Sequence, residues 1–262
     1  MTETDKALAL VTGASSGIGL ELAKQFAQHD YDLLICAEDP GLEAAAAQLR
    51  STGAQVSAVT ADLATYDGVE KLYAAVTVAG RPLSAVALNA GVGLGGAFAD
   101  TELADEIRLI DLNVTGTVHL AKRLLPDLIA RDAGSILVTS SVASTMPGSF
   151  QSVYNATKSF LQSWTQALQN ELEDTAVVIT SLMPGPTDTN FFHRAGMDDT
   201  PVGQGSKDDP AQVARQGFDA LMDAEDKVLA GSLKSRAQGT AAKVLPDKLK
   251  AGMHRNMAEP ES

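Results

Sequence analysis

Residues 7–28 read Ala-Leu-Ala-Leu-Val-Thr-Gly-Ala-Ser-Ser-Gly-Ile-Gly-Leu-Glu-Leu-Ala-Lys-Gln-Phe-Ala-Gln. The apolar run Ala7–Val11 ends at Thr12-Gly13, which is how a buried strand ends. From Gly17 to Gln28 the period changes. Ile18, Leu22, Ala23 and Phe26 fall on one face of a helix. Between strand and helix stand Gly13, Gly17 and Gly19. Glycines permit positive φ and close backbone approach, and a helix N-terminus offers free N–H groups and partial positive charge. A strand, a glycine-rich turn and a helix in that order make a phosphate cradle. The spacing, Gly-x-x-x-Gly-x-Gly, is a variant of the better-known dinucleotide fingerprint. Such turns also occur without ligands, so the motif alone does not decide function.

The same alternation continues along the chain. Strands are expected at Asp32–Ala37, Gln55–Thr60, Leu83–Leu88, Ser135–Ser140 and Ala176–Met183, with a short last one at Val228–Ala230. Helices are expected at Gly41–Ser51, Tyr66–Ala79, Glu102–Arg131 (interrupted near Gly116), Ser152–Asp174 and Pro210–Ala224, the last with Pro at its first turn. This order predicts a single α/β domain, a parallel sheet with helices on both faces. Ligands of such sheets bind beyond the carboxyl ends of the strands. Gly13, Asp62, Asn89, Ser141 and Pro184 all fall there. The segment 187–207 is rich in Gly, Asp and Thr, has no clear period, and holds Phe191, Phe192 and Met197. It reads as a substrate lid or as a floppy insertion. The tail 232–262 carries six Lys/Arg against three Asp/Glu. It is either a helix packed on an acidic neighbouring surface or a solvated tail.

With 262 residues and 45% hydrophobic composition, the chain can bury a large core. A net charge of −13 argues against nucleic acid and against an anionic membrane surface as partners. The single cysteine, Cys36, forms no internal disulfide and reads as a small buried hydrophobe. The polar start resembles no signal peptide, and no run approaches a membrane span. A soluble, cytoplasmic protein is expected. His29, His119, His193 and His254 show no metal-ligand spacing, so no metal is expected. Trp164 reads as helix-packing core.

Tyr154 and Lys158 lie four apart, on one helix face. A free Tyr with a pKa near ~10 is a poor base at neutral pH, and a nearby ammonium stabilises its phenolate. A Ser141 hydroxyl can hold a substrate oxygen. A Tyr-x-x-x-Lys pair alone is a chance event in a chain of this size. The order and spacing relative to the glycine turn and the Ser140-Ser141 pair make it specific.

Taken together, Thr12-Gly-x-x-x-Gly-Ile-Gly19, Asp62, Asn89-Ala-Gly91, Asn113, Ser141, Tyr154-x-x-x-Lys158 and Pro184-Gly185 resemble the short-chain dehydrogenase/reductase family, from about Leu8 to about Thr189. The resemblance implies a Rossmann-like doubly wound sheet and an NAD(P)-dependent oxidoreductase acting on a secondary alcohol or carbonyl. It implies Tyr154 as general acid/base and Lys158 as its pKa-lowering partner and ribose ligand. Ser141, 13 residues before Tyr154, orients the substrate. Asn113 holds a water in a proton relay. For the cofactor it implies Gly13, Ser15, Ser16, Gly17, Ile18 and Gly19 at the phosphates, and Asp62 with Leu63 at the adenine. Asn89, Ala90 and Gly91 belong to the ribose side, and Pro184, Gly185, Thr187 and Thr189 to the nicotinamide amide. Leu88 stands where the family commonly has Asn. Family members also pair long helices across a two-fold axis. The apolar content of Glu102–Arg131 and Ser152–Asp174 agrees, so a homodimer or homotetramer is expected.

Cofactor choice turns on Ser16, Glu38 and Asp39. An acid after the second strand suits the ribose hydroxyls of NAD and repels a 2′-phosphate. NAD is expected, and NADP stays open, because Glu38 and Asp39 could equally begin the next loop. Were NADP preferred, Lys24 or Arg50 would have to reach the phosphate. Met146, Phe150, Phe191, Phe192 and Leu94 suggest a mostly apolar substrate mouth. Arg194 keeps an anionic substrate open, and His193 is either a substrate contact or solvated. Two other classes compete with a small-molecule alcohol dehydrogenase or carbonyl reductase. A sugar-nucleotide epimerase or dehydratase shares Tyr-x-x-x-Lys but resembles longer chains. A nucleotide-sensing scaffold usually loses the Tyr or the Lys.

Overall fold

The computed structural model of the chain describes residues 6–232 and 246–260. Seven strands form one parallel sheet: β1 (Ala7–Thr12), β2 (Tyr31–Ala37), β3 (Val56–Thr60), β4 (Leu83–Leu88), β5 (Gly134–Thr139), β6 (Val177–Pro184) and β7 (Lys227–Ala230). Their order across the sheet is β3-β2-β1-β4-β5-β6-β7. Strands β1, β2, β4, β5 and β6 were legible as largely apolar runs because both faces of the central sheet are covered, whereas the edge strand β3 is half-exposed. Leu10, Val11, Leu34, Ile35, Val86, Ala87, Leu137 and Val138 are all within 2% of full burial.

Helices α1 (Gly17–Gln28), α2 (Leu42–Arg50) and α3 (Tyr66–Val78) follow the first three strands. After β4 come α4 (Leu103–Ile110), a π-helical turn (Asp111–Gly116) and α5 (Thr117–Ala130). The expected interruption of this long helix is therefore real, but its form is a register change to i→i+5 bonding and not a break. The 20-residue α6 (Ser152–Glu171) follows β5, and α9 (Pro210–Met222) leads into β7. Pro210 opens α9, and Asp209 caps it by accepting a hydrogen bond from the Ala211 amide at 2.9 Å.

Two apolar clusters fill the space above and below the sheet. Phe26, Leu33 and Phe218 belong to one, and Leu72, Leu120 and Leu161 to the other. Trp164 packs against the second and Cys36 is fully buried in it, as expected. A third, small cluster lies apart from the sheet. The segment 187–207 holds two one-turn helices, α7 (Phe191–Arg194) and α8 (Pro201–Gln204), and buries Phe192, Ala195 and Met197 against Ala258. It is an ordered cover with its own core, which its irregular sequence did not reveal. Of the tail 232–262, residues 233–245 and 261–262 lie outside the described residues. The remainder forms α10 (Asp247–Ala258), and this helix packs on α8. No described helix is long and apolar enough to cross a membrane.

Candidate functional site

The strand order reverses between β1 and β4, and a crevice opens at their carboxyl ends. Thr12 ties the two strands together. Its hydroxyl donates to the Ala87 carbonyl at 3.2 Å and accepts from the amides of Asn89 and Ala90 at 2.9 and 3.0 Å. The Asn89 amide group donates back to the Thr12 carbonyl at 3.1 Å. Its oxygen accepts from the Thr139 hydroxyl at 3.1 Å, which reaches across to β5. The glycine turn fills the crevice floor. Gly17 has φ of 57°, a conformation costly for any residue with a Cβ. A Cβ on Gly19 would lie 2.1 Å from the Gly13 carbonyl oxygen. No side chain fits there, so the first amides of α1, which lack partners within the helix, stay open to a ligand. That cradle fits a pyrophosphate. Arg194, at the end of α7, reaches over it and donates to the Ser16 hydroxyl at 3.0 Å.

Beyond the ends of β2 and β3 one base joins two acids. Arg108 donates to Glu38 at 2.6 Å and to Asp62 at 2.9 Å. Burial opposes the charge of the Asp62 carboxylate. The hydrogen bonds from Arg108 and the Ala64 amide outweigh it and hold the pKa below the usual range. The expectation that a 2′-phosphate would meet uncompensated acids is therefore corrected. Arg108 stands at Glu38, and Arg194 stands at Ser16. Neither base suggested by the sequence is free for that task. Lys24 pairs with Glu21 at 2.7 Å, and Arg50 donates to the Val56 carbonyl at 2.9 Å.

Across the crevice, α6 carries Tyr154 and Lys158, both buried and both lining the same cavity as the glycine turn. Ser141 lies at the end of β5, where its hydroxyl accepts from the Ala143 amide at 3.1 Å and caps a short 3₁₀ turn, Val142–Thr145. The neighbouring Ser140 hydroxyl is committed to the Lys158 carbonyl at 3.0 Å. Lys158 Nζ donates to the Thr139 carbonyl at 2.9 Å and stands 5.9 Å from the centre of the Tyr154 ring. Burial pushes the Tyr154 phenol up to about 12, against a lowering hydrogen bond with Ser141. Burial pushes the Lys158 ammonium down to about 8. The expected lowering of the tyrosine is thus not found here, because desolvation of the phenol itself dominates. Asn113 sits in the π turn, fully buried and outside the cavity lining. Its amide group accepts from the Val92 amide and donates to the Val92 carbonyl, both at 2.9 Å, and donates to Thr157 at 3.1 Å. It clamps the strand-end loop to α6.

Every other cofactor residue that the sequence singled out lines this one cavity: Gly13 and Ser15 to Gly19, Glu38, Asp62, Leu63, Asn89 to Gly91, Pro184, Gly185, Thr187 and Thr189. The Thr187 hydroxyl donates to the Gly185 carbonyl at 2.9 Å. Thr189 leans on the glycine turn, so that a Cβ on Gly17 would come within 3.0 Å of its methyl. Of the apolar mouth residues, Met146, Phe191 and Phe192 line the cavity, whereas Phe150 and Leu94 do not. Phe191 stands 5.3 Å from the Tyr154 ring. His193 is exposed and pairs with Asp198 at 2.6 Å, away from the cavity. Among the wall residues that the sequence did not place at the cavity are Lys250, Met253, His254 and Met257, all from α10, in the segment read as either a packed helix or a solvated tail. Gln151, three positions before Tyr154, is another. No group of His, Cys, Asp and Glu among the described residues could hold a metal.

The short chain dehydrogenase profile matches residues 7–199. An uncharacterized oxidoreductase of Staphylococcus epidermidis is 32% identical over 189 residues, covering 72% of this chain and 81% of the relative. Serine 3-dehydrogenase of Agrobacterium fabrum is 34% identical over 184 residues, covering 70% of this chain and 72% of the relative. Among solved structures, a short-chain dehydrogenase of Sphingobium yanoikuyae in complex with NADPH superposes with a TM-score of 0.82 at 28% identity, covering 98% of each chain. On this evidence the chain belongs to the short-chain dehydrogenase family.

Proposed function

We propose that the protein interconverts a secondary alcohol and its carbonyl using NAD(P), with Tyr154 as the proton donor and acceptor. The observation that carries this reading is the convergence of Tyr154, Lys158 and Ser141 on the cavity that also holds the glycine turn. The bound nicotinamide supplies or takes the hydride. The chain's own groups do the rest. Ser141 holds the substrate oxygen next to the tyrosine. Tyr154 is a phenol at neutral pH, since burial holds its pKa near about 12. The phenol is the form that gives a proton to a developing alkoxide. Lys158 keeps an ammonium below pH about 8. It then favours the phenolate that remains, by charge across the 5.9 Å to the ring. Asn113 fixes the loop that bears Val92, and its π turn is the candidate holder of a relay water. Phe191 and Phe192 exclude bulk water from the hydride path.

Glu38, at the end of β2 and in the cavity wall, supports NAD over NADP, since a carboxylate there accepts from ribose hydroxyls and repels a 2′-phosphate. Arg108 weakens that preference. A sugar-nucleotide epimerase and a sensing scaffold are less well supported. The family match spans residues 7–199, and both Tyr154 and Lys158 are present within it. Oxidation and reduction of a secondary-alcohol and ketone panel with both cofactors tests the reading. No turnover with any member, despite tight cofactor binding, would favour the scaffold.

A further inference from the structure

Lys250 and His254 lie one turn apart on α10, and both line the cavity. The Lys250 side chain is only 12% exposed. Its ammonium has three donors to satisfy. One makes a long bond of 3.3 Å to the Thr145 carbonyl, and another meets Asp247 at 3.0 Å. The Asp247 side chain is 80% exposed, so that pairing is screened by solvent. His254 is buried, and its Nδ1 lies 2.8 Å from the Ser149 carbonyl. A carbonyl only accepts, so Nδ1 carries a proton, and burial lowers the pKa of the ring. Gln151, also buried and in the wall, has an amide nitrogen without a partner. Around these polar groups the wall is apolar: Met146, Phe191, Phe192, Val202, Met253 and Met257.

We propose that the substrate is an amphiphilic keto acid, or the matching hydroxy acid, whose carboxylate pairs with Lys250 while its carbonyl meets Tyr154 and Ser141. This rests on the carbonyl reading above and adds the class of substrate. The Lys250 ammonium is half-buried, with one long bond to a carbonyl, one solvent-screened carboxylate and one donor left over, and an anion in the cavity would complete it. The spacing follows from the 3₁₀ turn that links Ser141 to Thr145, the residue Lys250 holds. At ~2.0 Å per residue that turn spans roughly 8 Å. The carboxylate therefore sits several atoms from the carbonyl, with the intervening carbons against Phe191 and Met253. In reduction, the reduced nicotinamide gives its hydride to the carbonyl carbon and Tyr154 gives its proton to the oxygen. The carboxylate is unchanged.

The test compares levulinate, its methyl ester and pyruvate in the wild type, Lys250→Gln and Lys250→Arg. Steady-state rates are paired with calorimetric binding of each probe to the protein holding oxidised cofactor. The wild type should favour levulinate over the ester by about tenfold or more in kcat/KM, the size of one charge-assisted contact. Pyruvate, whose carboxylate abuts its carbonyl, should be poor. Lys250→Gln should abolish the acid preference through KM while turnover of the ester persists, and Lys250→Arg should restore part of it. Equal treatment of acid and ester by the wild type overturns the proposal. So does an acid preference that survives in Lys250→Gln. Absence of turnover on all three probes would sink the carbonyl reading instead. The binding arm would still decide the anion site, since loss of levulinate binding in Lys250→Gln supports it and unchanged binding refutes it.

Discussion

Cofactor preference in this chain should be set by Arg108 as much as by Glu38, and single substitutions should move it in opposite directions. Arg108 spans Glu38 and Asp62 with hydrogen bonds of 2.6 and 2.9 Å. The Glu38 and Arg108 side chains are 50% and 45% exposed, so their charges act largely through water. At ~5 Å, unit charges interact by about 0.8 kcal/mol in bulk water and about 3 kcal/mol at an effective dielectric of ~20. A 2′-phosphate near this pair feels repulsion from Glu38 and attraction to Arg108 of similar size, and the two largely cancel. The wild type should then prefer NAD by only about tenfold, or ~1.4 kcal/mol, mostly from lost hydrogen bonds between Glu38 and the ribose hydroxyls. Arg108→Gln removes the attraction and leaves two acids unpaired. It should cost NADP about another tenfold and change NAD by less than about threefold. Glu38→Gln frees the guanidinium for a charge-assisted, bidentate grip on the phosphate. A contact of that kind is worth ~1.5–3 kcal/mol, enough to reverse the preference.

The assay is titration of NADH and NADPH binding by fluorescence, with kcat/KM for both, in wild type and the two variants. Raising salt should shrink every difference, since the groups are solvated. If Arg108→Gln weakens both cofactors equally, Arg108 serves the adenine pocket as a whole and does not sense the 2′-position. If Glu38→Gln keeps a tenfold preference for NAD, the same conclusion follows from the other side.

Further outcomes are expected elsewhere in the molecule. Tyr154→Phe should keep cofactor affinity and lose ~10²–10⁴ in kcat; retention of more than about a tenth would remove it as acid/base. Lys158 has a pKa lowered by burial to about 8, so the folded state disfavours its charge, fully below pH 8 and less and less up to pH 10.5. Wild-type stability relative to Lys158→Met should therefore rise across that window, by on the order of 3 kcal/mol, and a flat difference in denaturation midpoints would refute the burial argument. Amides of residues 191–204 should gain hydrogen-exchange protection with cofactor and substrate analogue together, and equal exchange would remove the lid. Leu103 and Phe160, 73% and 44% exposed on α4 and α6, should lie in a homo-oligomeric interface. Light scattering should find an oligomer that Phe160→Glu splits, and a wild-type monomer at micromolar concentration would contradict it.

How far the sequence could be read follows from where each partner of a residue lies. The strands and α1 announce themselves locally, since a run buried on both faces needs no knowledge of its neighbours. Tyr154 and Lys158 share one helix, so four positions of spacing were enough. Where the partner is remote, local pattern gives out. Arg108 lies 46 residues from Asp62 and 70 from Glu38, and on its own helix it is an ordinary exposed base. Met253 and Met257 are 51% and 39% exposed, so α10 looks like a solvated helix to any periodicity argument. The segment 187–207 defeats pattern for a related reason. Its core of Phe192, Ala195 and Met197 packs on Ala258 and Phe150, and no repeat within 187–207 encodes that.

One backbone feature shows how such remote packing acts on the chemistry. Phe150 adopts φ of 64°, a conformation uncommon for a bulky residue. Four contacts hold the surrounding segment in place. The Phe150 carbonyl accepts from the Gly96 amide at 2.9 Å, and the ring lies beneath the Arg255 guanidinium at 5.4 Å. One residue earlier, Ser149 donates to the Ala251 carbonyl at 3.2 Å and accepts from His254 at 2.8 Å. The next residue, Gln151, is the N-cap of α6, and Tyr154 follows within the first turn of that helix. The C-terminal helix thus closes one wall of the cavity and also fixes the entry of the helix that bears the tyrosine. A family motif confined to Tyr-x-x-x-Lys carries neither constraint. Chains that share the motif but end differently will aim the same phenol into differently shaped and differently charged pockets.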